Sequence, residues 1–243
     1  MMKRILMIAV LATLFVSCAT KGKTYRIGID PSYYPAQFSG KEANVYAFSK
    51  ELLRAISAEE GVFFETVGMS WDNLVFGLKD KKYEGILSAM TPRIHLERTY
   101  RFSESFLSTG PVLVVRKGIK VSHVNHLKGK EVGVSSLNSE ALLIEKYPGV
   151  EVHYYTSVPD SLDEIIAQQI DGILIDAIPA SSYVRGLYFG QLSIATPPLN
   201  DEGLRLVTPV GEEKELVEVF NRGLEKLRIN GTYDKLLKKW ELN

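Results

Sequence analysis

The chain alternates between short segments of strand character and segments with helical spacing of apolar residues, and this alternation is the strongest constraint on its fold. Apolar side chains recur at helical spacing around Phe48 and again around Phe220. The predicted strands are residues 25–30, 62–68, 85–90, 112–116, 131–135, 150–155, 172–176, 192–196 and 204–210. Strands that alternate with helices predict an α/β architecture with parallel strands.

Two further helices have recognisable ends. The segment 159–169 opens with Asp160 or Ser161 as the candidate N-cap, and its early acidic residues suit the positive end of the helix dipole. The segment 230–240 is predicted to become helical at Thr232. The second helix carries Tyr233, Leu236, Leu237 and Trp240 on one stripe, with lysines near its C-terminal end.

The N-terminus is typical of an exported protein. The positively charged MMKR precedes an apolar run that is too short to span a bilayer of roughly 30 Å. We interpret residues 1–17 as a signal peptide. The next residue, Cys18 in FVSC, resembles the lipidated cysteine of a bacterial lipobox, which makes residues 18–23 a lipid-anchored linker. Ordinary signal-peptidase cleavage after the small residues 17–19 is the alternative.

Charge and motif content exclude several functions. The 29 basic residues balance the 29 acidic ones, and removal of Lys3 and Arg4 with the leader gives about −2, so no basic field indicates nucleic-acid binding. Phosphate-binding glycine loops and the HExxH and GxSxG motifs are absent from the sequence. His123 and His126 lack a nearby thiol or carboxylate, so we expect no metal site and no cofactor. Cys18 is the only cysteine, which rules out an internal disulfide.

Polar residues cluster where predicted strands end. Asp30, Ser88 to Thr91, Ser135 to Ser139 and Asp176 all occupy such positions. In doubly wound sheets, ligands bind beyond the carboxyl ends of the strands. The sequence therefore predicts a polar ligand cleft at these ends.

Six segments in a fixed order strengthen this prediction. They are GIDPSYYPAQF (28–38), WDNLVFGLKDKKYEGILSAMT (71–91), FSESF (102–106), LKGKEVGVSSLNSEALL (127–143), DGILID (171–176) and NGTYDKLLKKW (230–240). Together they resemble the extracytoplasmic polar amino-acid-binding proteins of ABC transporters, solute-binding protein family 3. The resemblance covers about residues 24–242 and is closest in motif to members that bind arginine, lysine, ornithine or histidine.

The resemblance implies a two-lobe periplasmic-binding-protein-like fold of type II. Two hinge strands join the lobes, and the ligand cleft lies between them. The crossings are expected near Thr109–Val112 and Leu199–Leu206. Lobe 1 would then comprise residues 24–110 and 206–243, and lobe 2 residues 111–205.

The resemblance also implies which residues bind the main-chain groups of the ligand. Asp176 would bind the α-ammonium, while Thr91, Ser139 and the backbone of Ser88 and Ala89 would bind the α-amino and α-carboxylate groups. Ser135 is a further candidate contact.

An arginine clamps the ligand carboxylate in the family, six residues before the Phe of FS, where this chain has Leu96. Arg93 is our preferred replacement, because residues three apart on a helix are neighbours, and Arg98 is the alternative.

For the ligand side chain, the family pattern implies Asp30 and Tyr33 on one wall and Trp71 on the other. A planar cation between two rings gains about 0.5–2 kcal/mol, and a carboxylate can hold a guanidinium by two parallel hydrogen bonds. This arrangement favours arginine. Glutamine-binding relatives also have an acid at the Asp30 position, so glutamine is the main competing ligand. Tyr34 has no assigned role.

The expected function is that of a monomeric, lipid-anchored receptor without covalent chemistry, located in the periplasm or on the cell surface. It would capture arginine and deliver it to an inner-membrane ABC permease, with membrane contact through its anchor and no nucleic-acid partner. One alternative is an enzyme like the cyclohexadienyl dehydratases, which share the fold. Another is a receptor that reports to a sensor or adheres to host surfaces.

Overall fold

A computed structural model of the protein describes residues 22–135 and 140–242. The predictions for the signal peptide, for Cys18 and for Ser139 therefore lie outside the described residues. The strands are β1 Thr24–Ile29, β2 Phe63–Gly68, β3 Gly85–Ser88, β4 Tyr100–Phe102, β5 Leu107–Ser108, β6 Pro111–Arg116, β7 Glu131–Ser135, β8 Glu151–Tyr155, β9 Gly172–Asp176, β10 Leu192–Ile194 and β11 Gly203–Pro209. The helices are α1 Glu42–Glu60, α2 Trp71–Lys79, α3 Ile94–Glu97, α4 Glu140–Ile144, α5 Val158–Ile166, α6 Ala177–Arg185, α7 Lys214–Ile229 and α8 Thr232–Lys239.

The strands form two separate sheets, one in each lobe. The first has the order β2-β1-β3-β11-β4, with β5 beside β11, and the second has the order β10-β6-β9-β7-β8. Within the sheets β1 runs parallel to β2 and β3, and β7 runs parallel to β8 and β9. The strands next to the crossings, β6 and β11, are antiparallel to their neighbours, because the chain enters each lobe from the opposite end there. The α/β prediction is thus confirmed, and the sheets are mixed rather than wholly parallel.

All nine predicted strands are present, and β4 and β5 are additional. β4 ends at the first residue of FSESF and β5 follows its last residue. Strands of three and two residues are too short for a period-2 pattern to be recognised. The helical spacing around Phe48 and Phe220 is also confirmed, since both side chains are fully buried in the core of the first lobe.

The start of α5 differs from the prediction. Ser157 is its N-cap, and the Ser157 hydroxyl accepts a hydrogen bond from the backbone N–H of Asp160 at 3.4 Å. Neither Asp160 nor Ser161 has that role. Pro159 lies in the first turn, where a missing N–H costs nothing, so the helix begins earlier than its charged residues indicate.

Two adjacent segments connect the lobes, one between β5 and β6 and the other between β10 and β11. The N–H groups of Thr109 and Gly110 donate to the carbonyl of Glu202 at 3.0 and 3.2 Å, and the N–H of Leu199 donates to the carbonyl of Pro111 at 2.8 Å. Strand β11 already begins at Gly203, three residues before the expected boundary at 206. The crossings therefore pair with each other and form the hinge region of the molecule.

Within the two described ranges, 22–135 and 140–242, every helix is too short or too polar to cross a membrane.

Candidate ligand-binding cleft

The carboxyl ends of β1, β3 and β9 meet the two crossings in a cleft between the lobes. One cavity of about 260 Å³ takes its lining from both lobes and from both crossings. Its lining residues are Pro35, Ala36, Gln37, Phe38, Ala89, Thr91, Thr109, Asp176 and Glu202. Of the residues expected at strand ends, Ala89, Thr91 and Asp176 line this cavity.

A second cavity of about 350 Å³ adjoins the first on the side of the second lobe. Ser135 at the end of β7 and Glu140 at the start of α4 line it, and Gln37 and Asp176 line both cavities. Ser88 is buried instead, and its hydroxyl accepts a hydrogen bond from the N–H of Met90 at 3.1 Å. Ser88 thus supports the loop after β3 and lines neither cavity.

Asp176 has an unusual electrostatic environment. It ends β9 and lies at the N-cap of α6, where its side chain makes no capping hydrogen bond. Burial raises the pKa of the Asp176 carboxyl to about 7, and the nearby charges of Glu140 and Glu202 add to the increase. The helix dipole favours a negative charge at this position but does not outweigh these effects. Near neutral pH the carboxyl is therefore divided between its two protonation states, and a bound cation would favour the ionised one.

Asp30 is nearly buried at the end of β1. Its Oδ1 accepts hydrogen bonds from the N–H of Ser32 at 2.8 Å and from the hydroxyl of Ser32 at 2.7 Å. No described residue donates a hydrogen bond to its Oδ2. One carboxylate oxygen thus holds the turn, and Asp30 lines neither of the two cavities.

Tyr33 lies in the core of the first lobe, contrary to the expectation that it faces the ligand. Its side chain is 1% exposed and packs edge-to-face on Phe38, with ring centroids 6.3 Å apart. Its backbone is left-handed, with φ at 55°, and its N–H donates to the carbonyl of Asp30 at 3.0 Å. This tight turn directs the ring of Tyr33 inward.

Tyr34 takes the exposed position instead. It is 59% exposed, and its ring centroid lies 6.4 Å from that of Trp71, the first residue of α2. The two rings are inclined at 59°, so they do not form the parallel walls of a slot. A cation could contact the open face of either ring without being enclosed between them.

The two candidate carboxylate clamps are both exposed. Arg93 precedes α3 with an extended backbone, and Arg98 follows the same helix. Neither forms an ion pair or a side-chain hydrogen bond with another described residue, and neither lines the 260 Å³ cavity. Arg93 lies two residues beyond Thr91, which does line it. The choice between the two arginines stays a prediction.

Sequence reasoning missed three polar residues of the cleft: Gln37, Glu140 and Glu202. Glu140 resembles an ordinary first-turn acid of a helix, yet it is only 1% exposed. Glu202 lies in the polar stretch LNDEG, where its position inside a predicted crossing was the only available signal. Gln37 lies in the quoted GIDPSYYPAQF segment, at a position without an assigned role.

The histidine pair has a structural explanation. Nδ1 of His123 accepts a hydrogen bond from the N–H of Asn125 at 3.2 Å and caps the short 3₁₀ helix Val124–Leu127. Among the residues that the structure describes, no cluster of three or more histidine, cysteine or acidic side chains could hold a metal ion.

Comparison with known proteins identifies relatives along nearly the whole chain. The arginine-binding extracellular protein ArtP of Bacillus subtilis is 27% identical over 218 residues, which cover 88% of this chain and 84% of ArtP. The L-cystine-binding protein TcyJ of Escherichia coli is 24% identical over 220 residues, which cover 89% of this chain and 82% of TcyJ.

The fold has a solved counterpart in the L-cystine solute receptor of Neisseria gonorrhoeae in its unliganded open conformation. The TM-score is 0.73 at 22% identity, with 91% of this chain and 93% of the receptor covered. At that identity the likeness concerns the two-lobe fold alone. Residues 25–243 match the profile of the bacterial extracellular solute-binding proteins, family 3. The chain therefore belongs to the bacterial extracellular solute-binding proteins of family 3.

Proposed function

We propose that this protein is an extracytoplasmic receptor that captures a basic amino acid, most of all arginine, and delivers it to an ABC permease. The observation that supports this ligand class is the charge of the cleft. Asp176, Glu202 and Glu140 line its two cavities, whereas no lysine, arginine or histidine among the described residues does so.

A zwitterionic ligand brings no net positive charge to these three acids. Its α-ammonium can pair with Asp176, but its α-carboxylate adds a further negative charge to a partly buried site. An amino acid with a cationic side chain has net charge +1, so it neutralises one more carboxylate of the cleft than a zwitterionic ligand does. Charge interactions in such an environment are several times stronger than in water, so net charge should discriminate between ligands.

Among basic ligands, the edge of the cleft favours a guanidinium. The exposed ring of Tyr34 and the partly buried ring of Trp71 offer π faces, where cation–π contact contributes about 0.5–2 kcal/mol. Asp30, the acid that the family pattern expects at the ligand side chain, would add a carboxylate. A planar guanidinium can stack on a ring while it donates in-plane hydrogen bonds, which a compact ammonium cannot do. The relative ArtP is named for arginine.

A neutral polar amino acid such as glutamine or cystine is the second candidate. Gln37 lines both cavities and offers an amide that can pair with an uncharged side chain. The relative TcyJ is named for L-cystine. Lipidation at Cys18, periplasmic or cell-surface location and a monomeric state belong to the same proposal.

Titration calorimetry tests the ligand. Protein that starts after Cys18 is unfolded, washed free of ligand and refolded, and is then titrated with arginine, lysine, ornithine, histidine, glutamine and cystine. We expect arginine to bind tightest, with neutral amino acids about tenfold weaker or more. Tightest binding of glutamine or cystine would overturn the proposed ligand class. An assay for dehydration of arogenate or prephenate tests the enzymatic alternative.

A further inference from the structure

Glu202 occupies a fixed position where the two crossings pair. Its backbone carbonyl accepts hydrogen bonds from the N–H groups of both Thr109 and Gly110, and its own N–H donates to Oδ1 of Asn200 at 3.1 Å. These bonds join the residue to both connecting segments. Because the segments pivot when the lobes close, a residue between them moves less than one on either lobe.

Two glycines beside Glu202 allow the crossings to approach this closely. A Cβ atom added to Gly110 would lie 2.1 Å from Oδ1 of Asn200, and one added to Gly203 would lie 2.2 Å from Oγ of Ser105. Residue 202 is therefore held between two points of close contact. Its place in the cleft is defined by the backbone before any ligand arrives.

Glu202 shares its cavity with the residues expected to bind the main-chain groups of the ligand. Asp176, Ala89 and Thr91 line the same 260 Å³ space. Asp176 reaches it from the second lobe, Thr91 from the first lobe and Glu202 from the hinge. Asp30, the acid expected at the ligand side chain, does not line this cavity. Glu202 therefore lies at the main-chain end of the ligand.

We infer that Glu202 is a second acceptor for the ligand's α-ammonium, which it binds together with Asp176. This inference rests on the proposed function as an amino-acid receptor and adds a residue to its recognition site. An ammonium has three N–H donors and can serve both carboxylates at once. It also replaces the repulsion between two neighbouring acids by two attractive contacts.

This arrangement links ligand capture to proton release. Burial raises the pKa of Asp176 to about 7, and the charges of Glu140 and Glu202 add to the increase, so part of the ligand-free protein carries a proton on Asp176 near neutral pH. Binding of an ammonium requires the ionised carboxylate and releases that proton. Affinity should therefore rise with pH until Asp176 is fully ionised and then level off.

The experiment compares Glu202→Gln with a matched control, Asp201→Asn. Asp201 precedes Glu202, is exposed and lines neither cavity, so the control removes the same charge from the same segment. The ligands are L-arginine and L-citrulline, which have the same length and the same α-ammonium but differ in side-chain charge. We expect Glu202→Gln to weaken both ligands by a similar factor of about ten or more, and Asp201→Asn to leave both nearly unchanged.

The pH dependence of arginine affinity gives a second result that a purely structural role would not change. In Glu202→Gln the pH at which affinity levels off should move downward, because Asp176 loses a neighbouring negative charge. Glu202→Asp keeps that charge on a shorter side chain, so it should bind more weakly than the wild type but level off at a higher pH than Glu202→Gln. If citrulline binds too weakly to titrate, the pH profiles of Glu202→Gln and Glu202→Asp with arginine test the inference instead.

Two results would overturn the inference. One is unchanged affinity and an unchanged pH profile in Glu202→Gln. The other is a loss for arginine but not for citrulline, which would place Glu202 at the ligand side chain. If a neutral amino acid proves to be the ligand, the proposed ligand class fails, but the same variants tested with that amino acid should still show the loss. The two failures are thus separable.

Discussion

Replacement of Asp176 by asparagine should stabilise the ligand-free protein while it weakens ligand binding. In the folded protein the pKa of the Asp176 carboxyl is about 7, whereas the ordinary value is 3.8. The unfolded chain therefore loses this proton at lower pH than the folded protein does. As pH rises from 3.8 to 7, folding becomes less favourable, and the full penalty is present above pH 7.

The size of the penalty follows from the displaced pKa. Each tenfold change in an ionisation constant corresponds to about 1.4 kcal/mol, so the displaced pKa limits the penalty on the free energy of unfolding to about 4 kcal/mol. Water in the open cleft screens the charge, so we expect a gain of about 1–2 kcal/mol for Asp176→Asn above neutral pH. Asparagine has nearly the same shape, and no capping hydrogen bond of the side chain is lost.

Thermal unfolding at two pH values measures this gain. For a chain of this size the melting temperature of Asp176→Asn should exceed that of the wild type by about 2–8 °C near pH 8. The difference should shrink to almost nothing near pH 3, below the ordinary pKa of 3.8, where Asp176 is protonated in the folded protein and largely so in the unfolded chain. Loss of one charge-assisted contact should weaken arginine binding by about 10- to 150-fold in calorimetry. Two results would refute the electrostatic reasoning. One is a melting temperature of Asp176→Asn at or below that of the wild type near pH 8. The other is a melting temperature that exceeds the wild-type value by the same margin at both pH values.

Other substitutions separate the roles of neighbouring residues. Tyr34→Ala should weaken arginine binding by about 2- to 30-fold in calorimetry without a change in melting temperature, whereas Tyr33→Ala should lower the free energy of unfolding by about 3–5 kcal/mol in denaturant titration; a reversed pattern would contradict their assigned positions. Asp30→Asn should reduce arginine binding far more than glutamine binding in the same calorimetric panel, and equal losses would argue against a side-chain role. Gly110→Ala should destabilise the protein by about 1–3 kcal/mol in denaturant titration, because the added Cβ meets Asn200, and no loss would mean that the crossings can separate freely.

The strand ends of the cleft were predictable because they depend on local sequence patterns. A run such as GILID followed by helix-forming residues places Asp176 at the end of a buried strand, whatever surrounds it. The same holds for Ala89 and Thr91 after β3. Within each sheet the carboxyl ends of the parallel strands lie at one edge, and the cleft brings the edges of the two sheets together, so residues far apart in the chain converge. The expected positions of the connecting segments, by contrast, came from the family resemblance and not from a local pattern.

The direction of individual side chains was not predictable in this way. Tyr33 and Tyr34 are chemically identical neighbours, and a single left-handed backbone angle at Tyr33 decides which ring is buried. No periodic pattern applies within a turn of four residues, so the sequence could not assign the two roles. The N-cap of α5 was misplaced for a related reason, because the first turn around Pro159 depends on a cap outside the charged segment.

The sequence by itself therefore determined the α/β class and the family, and it predicted several of the strand ends that line the cleft, because these depend on local patterns and on ordered motifs. Only the tertiary structure decided the electrostatics of the site. Glu140, Asp176 and Glu202 come from three separate parts of the chain, and their mutual repulsion depends on distances that folding alone creates. The raised pKa of Asp176 follows from burial and from charges brought together in space, and neither is encoded in any one segment.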